Sequence, residues 1–329
     1  MYTFKEIIGH HDIKQHFQRA IEHQKVSHAY IIDGEEGMGK RTMVSTMAKT
    51  LQCLEQKSEP CNHCISCKAF DSGNHPDVIL VQAVKRKSIG VDDIREQIQQ
   101  DIDIKPYQYK YKIYMIEDAD TMTIAAQNAL LKTLEEPPLY GIIFLLSSNY
   151  QRFLPTILSR CVVLQLKPIA QQQVKQYLMQ ELMLSEEQAE LYSNFAQGNI
   201  GKAKKIISDT HFIEKRDQVI QWVERLSQED LISLFQMQKD FEPYKDEIQE
   251  VLDILYTWYR DLLLVKQLGE NAYLIHQDQK KILLKQAHVL SYNRIGQALD
   301  SIRLAQDQLS KNANFQLTIE MMLLKLKEN

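Results

Sequence analysis

Apolar positions recur along this chain with two spacings. Short runs with almost no polar interruption stand at Tyr30-Ile-Ile32, Val78-Ile-Leu-Val81, Lys112-Ile-Tyr-Met-Ile116, Gly141-Ile-Ile-Phe-Leu-Leu146 and Val162-Val-Leu164. Between them apolar residues fall three or four apart: Ile13, Phe17 and Ile21; Met43, Val44, Met47, Ala48 and Leu51; Ile94 and Ile98. Runs of the first kind suit strands buried on both faces, and the second spacing suits amphipathic helices. Their alternation predicts an α/β domain, a parallel sheet with helices on both faces. From Lys167 onward only the helical spacing remains. Ile169, Val174 and Leu178 mark one helix, Ser185-Glu-Glu-Gln188 reads as the capping box of another, and Gly198-Asn-Ile-Gly-Lys-Ala203 opens a third. Residues 209–329 carry stripes such as Val219, Trp222 and Leu226, then Leu252, Leu255, Tyr259 and Leu262, then Ile319, Met322, Leu323 and Leu326. Such stripes are core, or a face that packs on neighbouring subunits.

Composition narrows the class. The chain has 329 residues, 44% hydrophobic and 25% charged, with a formal net charge of −4. That is room for two or three domains, and the acidic balance argues against a chain that coats nucleic acid unaided. Lys85-Arg86-Lys87 and Lys202 to Lys205 are local basic patches, either solvated faces or contacts. No run approaches the length of a membrane span, and the first residues lack the apolar core of a signal peptide, so a cytoplasmic location without membrane contact is expected.

Candidate chemistry gathers at three places. After the first strand, Gly34, Gly37, Gly39 and Lys40 form an incomplete phosphate-binding loop, in which backbone N–H groups cradle phosphates and lysine reaches the terminal ones. The next position, where a hydroxyl holds Mg²⁺, is Arg41. Guanidinium carries a fixed charge and only donates, so it cannot ligate a cation. Thr42 stands one residue further, a helical rotation of about 100° away. After the third strand come Glu117 and Asp118, acids where a P-loop ATPase orients metal and water, but with glutamate on the metal side. The lesser alternative is that they simply cap the following helix.

Cys53, Cys61, Cys64 and Cys67 are four of the five cysteines, within fifteen residues. In a reducing compartment that spacing reads as a structural Zn²⁺ site, against a redox pair or incidental thiols. His63 sits among them as a possible competitor.

The order of these motifs, followed by Asn128-Ala-Leu-Leu-Lys-Thr-Leu-Glu-Glu-Pro-Pro138 and Leu154-Pro-Thr-Ile-Leu-Ser-Arg-Cys161, resembles the AAA+ subunits of the bacterial sliding-clamp loader of DNA polymerase III. The resemblance covers residues 1–208. It implies an AAA+ P-loop-type domain over 1–166 with the zinc module inserted at 53–67, a small helical lid over 167–208, and an all-α collar over 209–329 that holds a five-membered ring together. It also implies motor (tau/gamma) and delta subunits as partners, with the sliding clamp and primed DNA met through the complex. Motor subunits of that family carry an intact lysine-Ser/Thr loop, an Asp-Glu pair and a lid arginine; here those places hold Arg41, Glu117-Asp118 and Gly201. The expectation is therefore a non-hydrolysing, stator-like subunit in which Gly34, Gly37, Gly39, Lys40 and Thr42 form a vestigial loop that binds ATP or ADP weakly or not at all. Arg160, with Ser159 beside it, is the expected arginine finger, acting in trans on a neighbour's ATP; otherwise it pairs with a local carboxylate. Cys161 is expected to be a buried small hydrophobe. Two other readings stay open: an active motor subunit in which Thr42 takes the metal, and a stand-alone zinc-dependent DNA-binding module.

Overall fold

The computed structural model describes residues 2–84, 88–226 and 231–327; the basic patch Lys85-Arg86-Lys87 lies outside them. The chain divides into two compact units, one made of 1–174 with 197–202 and the other of 175–196 with 203–329.

In the first unit the elements follow the alternation: α1 (His11–Glu22), β1 (Ala29–Asp33), α2 (Lys40–Gln52), α3 (Ile65–Asp71), β2 (Val78–Val81), α4 (Val91–Ile94), β3 (Lys112–Ile116), α5 (Ile124–Glu135), β4 (Gly141–Ser147), α6 (Pro155–Leu158) and β5 (Val162–Gln165). The helix expected from Ile94 and Ile98 is a single α turn continued by a π-helical stretch, Arg95–Gln99. The strands form one five-stranded sheet in the order β2-β3-β4-β1-β5, and every pairing is parallel. Successive side chains on a strand point to opposite faces, so one apolar run feeds two cores. Tyr30, Ile32, Ile113, Met115 and Phe144 pack with α2, while Ile31, Tyr114, Ile116, Ile143 and Leu145 pack with α5. Burial on both faces explains the continuous apolar runs of β1, β3 and β4, whereas the edge strands β2 and β5 are only part-buried. Asp33 is level with Ser147 and Ile116 with Leu145, so the residues following β1, β3 and β4 emerge along one sheet edge. In open parallel sheets the carboxyl edge is where ligands bind.

The helical remainder is α7 (Gln171–Glu181), α8 (Glu186–Ala196), α9 (Ile200–Ser208), α10 (Phe212–Leu226), α11 (Leu231–Met237), α12 (Ile248–Leu268), α13 (Lys280–Val289), α14 (Tyr292–Ser310) and α15 (Phe315–Lys327). The capping box before α8 forms as read: Gln188 N donates to Ser185 Oγ at 3.3 Å and Ser185 N to Gln188 Oε1 at 3.4 Å. In the second unit α12 packs against α10, α13 and α14, with α15 on α14. Trp222, Trp258, Leu252, Leu262, Ile302 and Leu323 lie in its core. No helix among the described residues is long and apolar enough to cross a membrane.

Candidate functional site

The turn from β1 to α2 carries the glycine loop. Gly37 and Gly39 have φ of +85° and +87°, left-handed values that glycine adopts without steric cost, so the backbone itself calls for these glycines. Lys40 points back along the loop: Nζ donates to the Gly34 carbonyl, to the Glu35 carbonyl at 3.2 Å and to Ser148 Oγ at 3.2 Å. Burial lowers its pKa, against the pull of Asp120, Asp118, Asp33 and Glu36.

The two departures from an intact loop meet each other. Arg41 Nε lies 3.2 Å from Glu117 Oε1, while Glu117 Oε2 accepts from Gln82 Nε2 at 2.6 Å. Thr42 is exposed on α2. Asp118 is exposed too, with φ +47°, and Asp120 accepts from the Ser148 N–H at 3.3 Å and lies 3.6 Å from Arg152.

A contact that sequence reasoning missed closes over the loop. Asn199 Nδ2 donates to the Glu36 carbonyl at 2.8 Å, and Gly201 N donates to the Gly37 carbonyl at 3.0 Å. A Cβ on Gly201 would stand 2.4 Å from Gly37 Cα, and one on Gly37 would stand 2.7 Å from Asn199 Oδ1. The two backbones touch, so no side chain fits at Gly201 while this contact holds. Asparagine just before a helix is a capping signal, and its oxygen does accept from Lys202 N at 2.9 Å. That its amide also reaches the loop leaves no trace in sequence.

Arg160 follows α6. Its Nη2 lies 2.9 Å from Glu135 Oε1, and Nη1 donates to the Thr156 carbonyl at 2.9 Å and Ser159 Oγ at 3.3 Å. Ser159 Oγ itself donates to Thr156 O at 3.0 Å. The guanidinium thus has the local carboxylate partner, yet its side chain stays 35% exposed. Beside it, Cys161 is part-buried against the core and not fully buried as expected, and burial pushes its thiol up to about 12, which suits a packing residue and not a nucleophile. Of the second basic patch, Lys204 sits over the Tyr177 ring and Lys205 pairs with Glu250 at 3.0 Å.

The four cysteines converge. Their sulfurs all lie within 4.8 Å of one another, with Cys61 Sγ 4.0 Å from Cys67 Sγ, an arrangement that could hold a metal ion. Backbone N–H groups point at the sulfurs: Cys61 N to Cys53 Sγ at 3.3 Å, Cys64 N to Cys61 Sγ at 3.4 Å and Cys67 N to Cys64 Sγ at 3.4 Å. Burial raises the Cys53 and Cys67 thiols, whereas at Cys64 burial is overcome by hydrogen bonds that bring the thiol down to about 7; the thiolate is the form a metal needs. The cluster is fastened to the helix that the glycine loop opens, because the fully buried Lys49 of α2 bonds Asn62 and both Asp71 oxygens at 2.7 and 2.8 Å. Glu55, Cys61 and His63 form a second, exposed donor set beside it.

Comparison with known proteins gives the family. Family models described as "DNA polymerase III, delta subunit" and "DNA polymerase III, delta subunit, C terminal" match residues 9–170 and 210–328. The chain is 33% identical to DNA polymerase III subunit delta' of Bacillus subtilis over 316 residues, 94% of this chain and 93% of that protein. It is also 33% identical to the tau subunit of the same organism over 210 residues, 62% of this chain but 37% of that longer protein. Among solved structures, a gamma subunit-related protein of Thermotoga maritima aligns with 95% of this chain and 98% of its own, at 19% identity and a TM-score of 0.41. With a relative so similar matched from end to end, the chain belongs to the DNA polymerase III delta-prime family of clamp-loader subunits.

Proposed function

We propose that this chain is the passive, stator-like subunit of a sliding-clamp loader: it does not hydrolyse ATP and lends Arg160 to a neighbouring motor subunit's ATP. The observation that carries the first half is the Arg41–Glu117 pair. In an active P-loop ATPase a hydroxyl and an acid share a magnesium ion there. Here a permanent cation stands where the hydroxyl would be and pairs with the acid, so a divalent ion loses its loop ligand and must compete with Arg41 for Glu117. Lys40, which would meet the terminal phosphates, is held by loop carbonyls and Ser148. Asn199 and Gly201 rest on the same loop, and Gly201 offers no cation. Thr42 would have to turn through a helical step to take the metal, which disfavours the motor reading. Calorimetric titration of the purified chain with ATP and ADP, with and without Mg²⁺, tests this. Binding is expected to be weak and indifferent to Mg²⁺, and a Mg²⁺-dependent gain of tenfold or more, lost in Lys40→Ala, would overturn it.

For the second half, Arg160 is part-exposed and anchored by Thr156 and Glu135, so a phosphoryl oxygen supplied by a neighbour would replace Glu135 as its partner. A finger supplied in trans is worth roughly 10³ to 10⁵ in rate. Cys53, Cys61, Cys64 and Cys67 would hold Zn²⁺. Sulfurs about 2.3 Å from a tetrahedral zinc stand roughly 3.8 Å apart, close to the Cys61–Cys67 separation, and four thiolates leave no open position for chemistry. The ion's contribution is structural. The division into a P-loop-type domain at 1–166, a lid at 167–208 and a collar at 209–329 belongs to this proposal. So do a cytoplasmic location, motor (tau/gamma) and delta partners, and clamp and primed DNA met through the complex. The collar reading is supported by exposed Leu304, Leu317 and Met321, which line a groove along α14 and α15. Apolar surface gathered this way marks contact sites more often than chance.

A further inference from the structure

The exposed donor set beside the cysteine cluster has a shape of its own. Glu55, Cys61 and His63 bring a carboxylate oxygen, a sulfur and a ring nitrogen within 4.8 Å of one another, and Cys61 belongs to both sets. Glu55 and His63 are exposed whereas Cys53 and Cys67 are buried, so this is the open side of the cluster.

The hydrogen bonds of His63 orient it as a ligand. Nδ1 lies 2.8 Å from the Cys61 carbonyl oxygen, which only accepts, so Nδ1 carries the proton and donates. Nε2 faces Glu55 Oε1 at 2.9 Å, while Lys57 Nζ holds the other Glu55 oxygen at 2.8 Å. With Nδ1–H committed to the carbonyl, Nε2 is the ring nitrogen turned toward Glu55 and the open side of the cluster. Metal-binding histidines are set in this way, one nitrogen on the metal and the other N–H on a carbonyl.

We infer that Glu55, Cys61 and His63 form an entry site through which a thiophilic divalent ion passes into and out of the four-cysteine cage. The inference rests on the proposal that the cage holds zinc. An ion entering from water must exchange its aquo ligands for four sulfurs in turn. Carboxylate and imidazole hold it while Cys61 is already bound; the remaining thiols then release their protons to water and displace the oxygen and nitrogen. Sulfur is the softer donor, so the cage wins at equilibrium. Since the entry ligands are not bonded in the final state, removing them slows entry and exit by one factor and leaves affinity unchanged.

The test uses the full-length chain, stripped by a chelator under reducing conditions and reloaded with Co²⁺, whose thiolate charge-transfer absorbance reports arrival in the cage. Wild type is compared with Glu55→Gln, His63→Ala and the double variant. The expected result is one Co²⁺ per chain with the same final spectrum in all four. Uptake and chelator-driven release in the double variant should both slow by about tenfold or more, with Kd within about twofold. Rates within twofold of wild type would overturn the inference, as would a changed final spectrum, which would make His63 or Glu55 a resident ligand. If wild type acquires no thiolate-bound cobalt, the zinc reading itself falls, and the entry site with it.

Discussion

At the scale of single residues, charge decides most of what this chain can do. The Arg41–Glu117 pair is exposed on the arginine side, so it adds less than about 1 kcal/mol to stability; its consequence is chemical. Arg41→Thr is accordingly expected to change the unfolding free energy measured in urea by less than that amount and to leave ATP turnover undetectable, because Lys40 remains occupied and the acids remain reversed. A linked pair in the second unit makes a pH prediction. Burial pushes Asp261 up to about 6, against hydrogen bonds from the His276 backbone and Arg260. Burial, with Arg216 and Arg260 adding, pulls the His276 ring down to about 3. A depressed histidine contributes stability above its unfolded value near 6.5 that is lost as pH falls toward 3. A raised aspartate contributes stability below about 3.8 that is lost as pH rises toward 6. Each alone gives a slope of about 1.4 kcal/mol per pH unit, and between pH 4 and 6 the two oppose. These two contributions should therefore cancel there in wild type, whereas His276→Gln should grow more stable on acidification relative to wild type. Urea unfolding followed through Trp222 and Trp258, both in this unit's core, reads the difference; parallel profiles for the two proteins would contradict it.

At the scale of elements, the first strand, the glycine turn and α2 act as one piece with the cysteine cluster, through Lys49. Replacing Lys49 by Met is expected to cost about 2–3 kcal/mol, somewhat below the loss for a wholly buried pair because Asp71 keeps contact with water. It should also speed loss of the cluster's metal to a chelator, and retention at the wild-type rate would argue against the tether. Every strand was legible in the sequence as an uninterrupted apolar run, which burial on both faces accounts for in the three central strands β1, β3 and β4. The capping box at Ser185 and the cysteine spacing were legible because each is a local pattern. What could not be read depends on distance in the fold. Asp77 looks like an ordinary turn residue, yet it is buried and its carboxylate accepts the backbone N–H groups of Tyr107, Gln108 and Tyr109 at 2.6, 3.1 and 3.1 Å. Arg41 was visible as a defect but not as a partner of Glu117, and Arg160 was visible as a motif but not as held by Glu135. The π-helical continuation after Ile94 keeps Ile98 buried while breaking the α spacing, and nothing local to the sequence announces it.

At the scale of the whole molecule, the chain reads as a donor of surfaces and charge to a larger assembly. Leu304 and Leu317 are 45% and 59% exposed on the α14–α15 groove. Leu304→Glu with Leu317→Glu is expected to leave the far-ultraviolet circular dichroism and thermal midpoint nearly unchanged while weakening incorporation into a reconstituted loader about tenfold or more, since few apolar anchors carry most of an interface's energy. Undiminished incorporation by native mass spectrometry would remove the collar reading. The central claim is that this subunit's own loop is idle while its arginine works elsewhere. It is tested most directly by pre-steady-state phosphate release from loaders assembled with wild-type, Lys40→Ala or Arg160→Ala chains in the presence of clamp and primed DNA. The account predicts an unchanged burst for Lys40→Ala, and for Arg160→Ala the loss of one site's phosphate, slowed by roughly 10³, in complexes of unchanged mass. A burst diminished by Lys40→Ala and untouched by Arg160→Ala would contradict it.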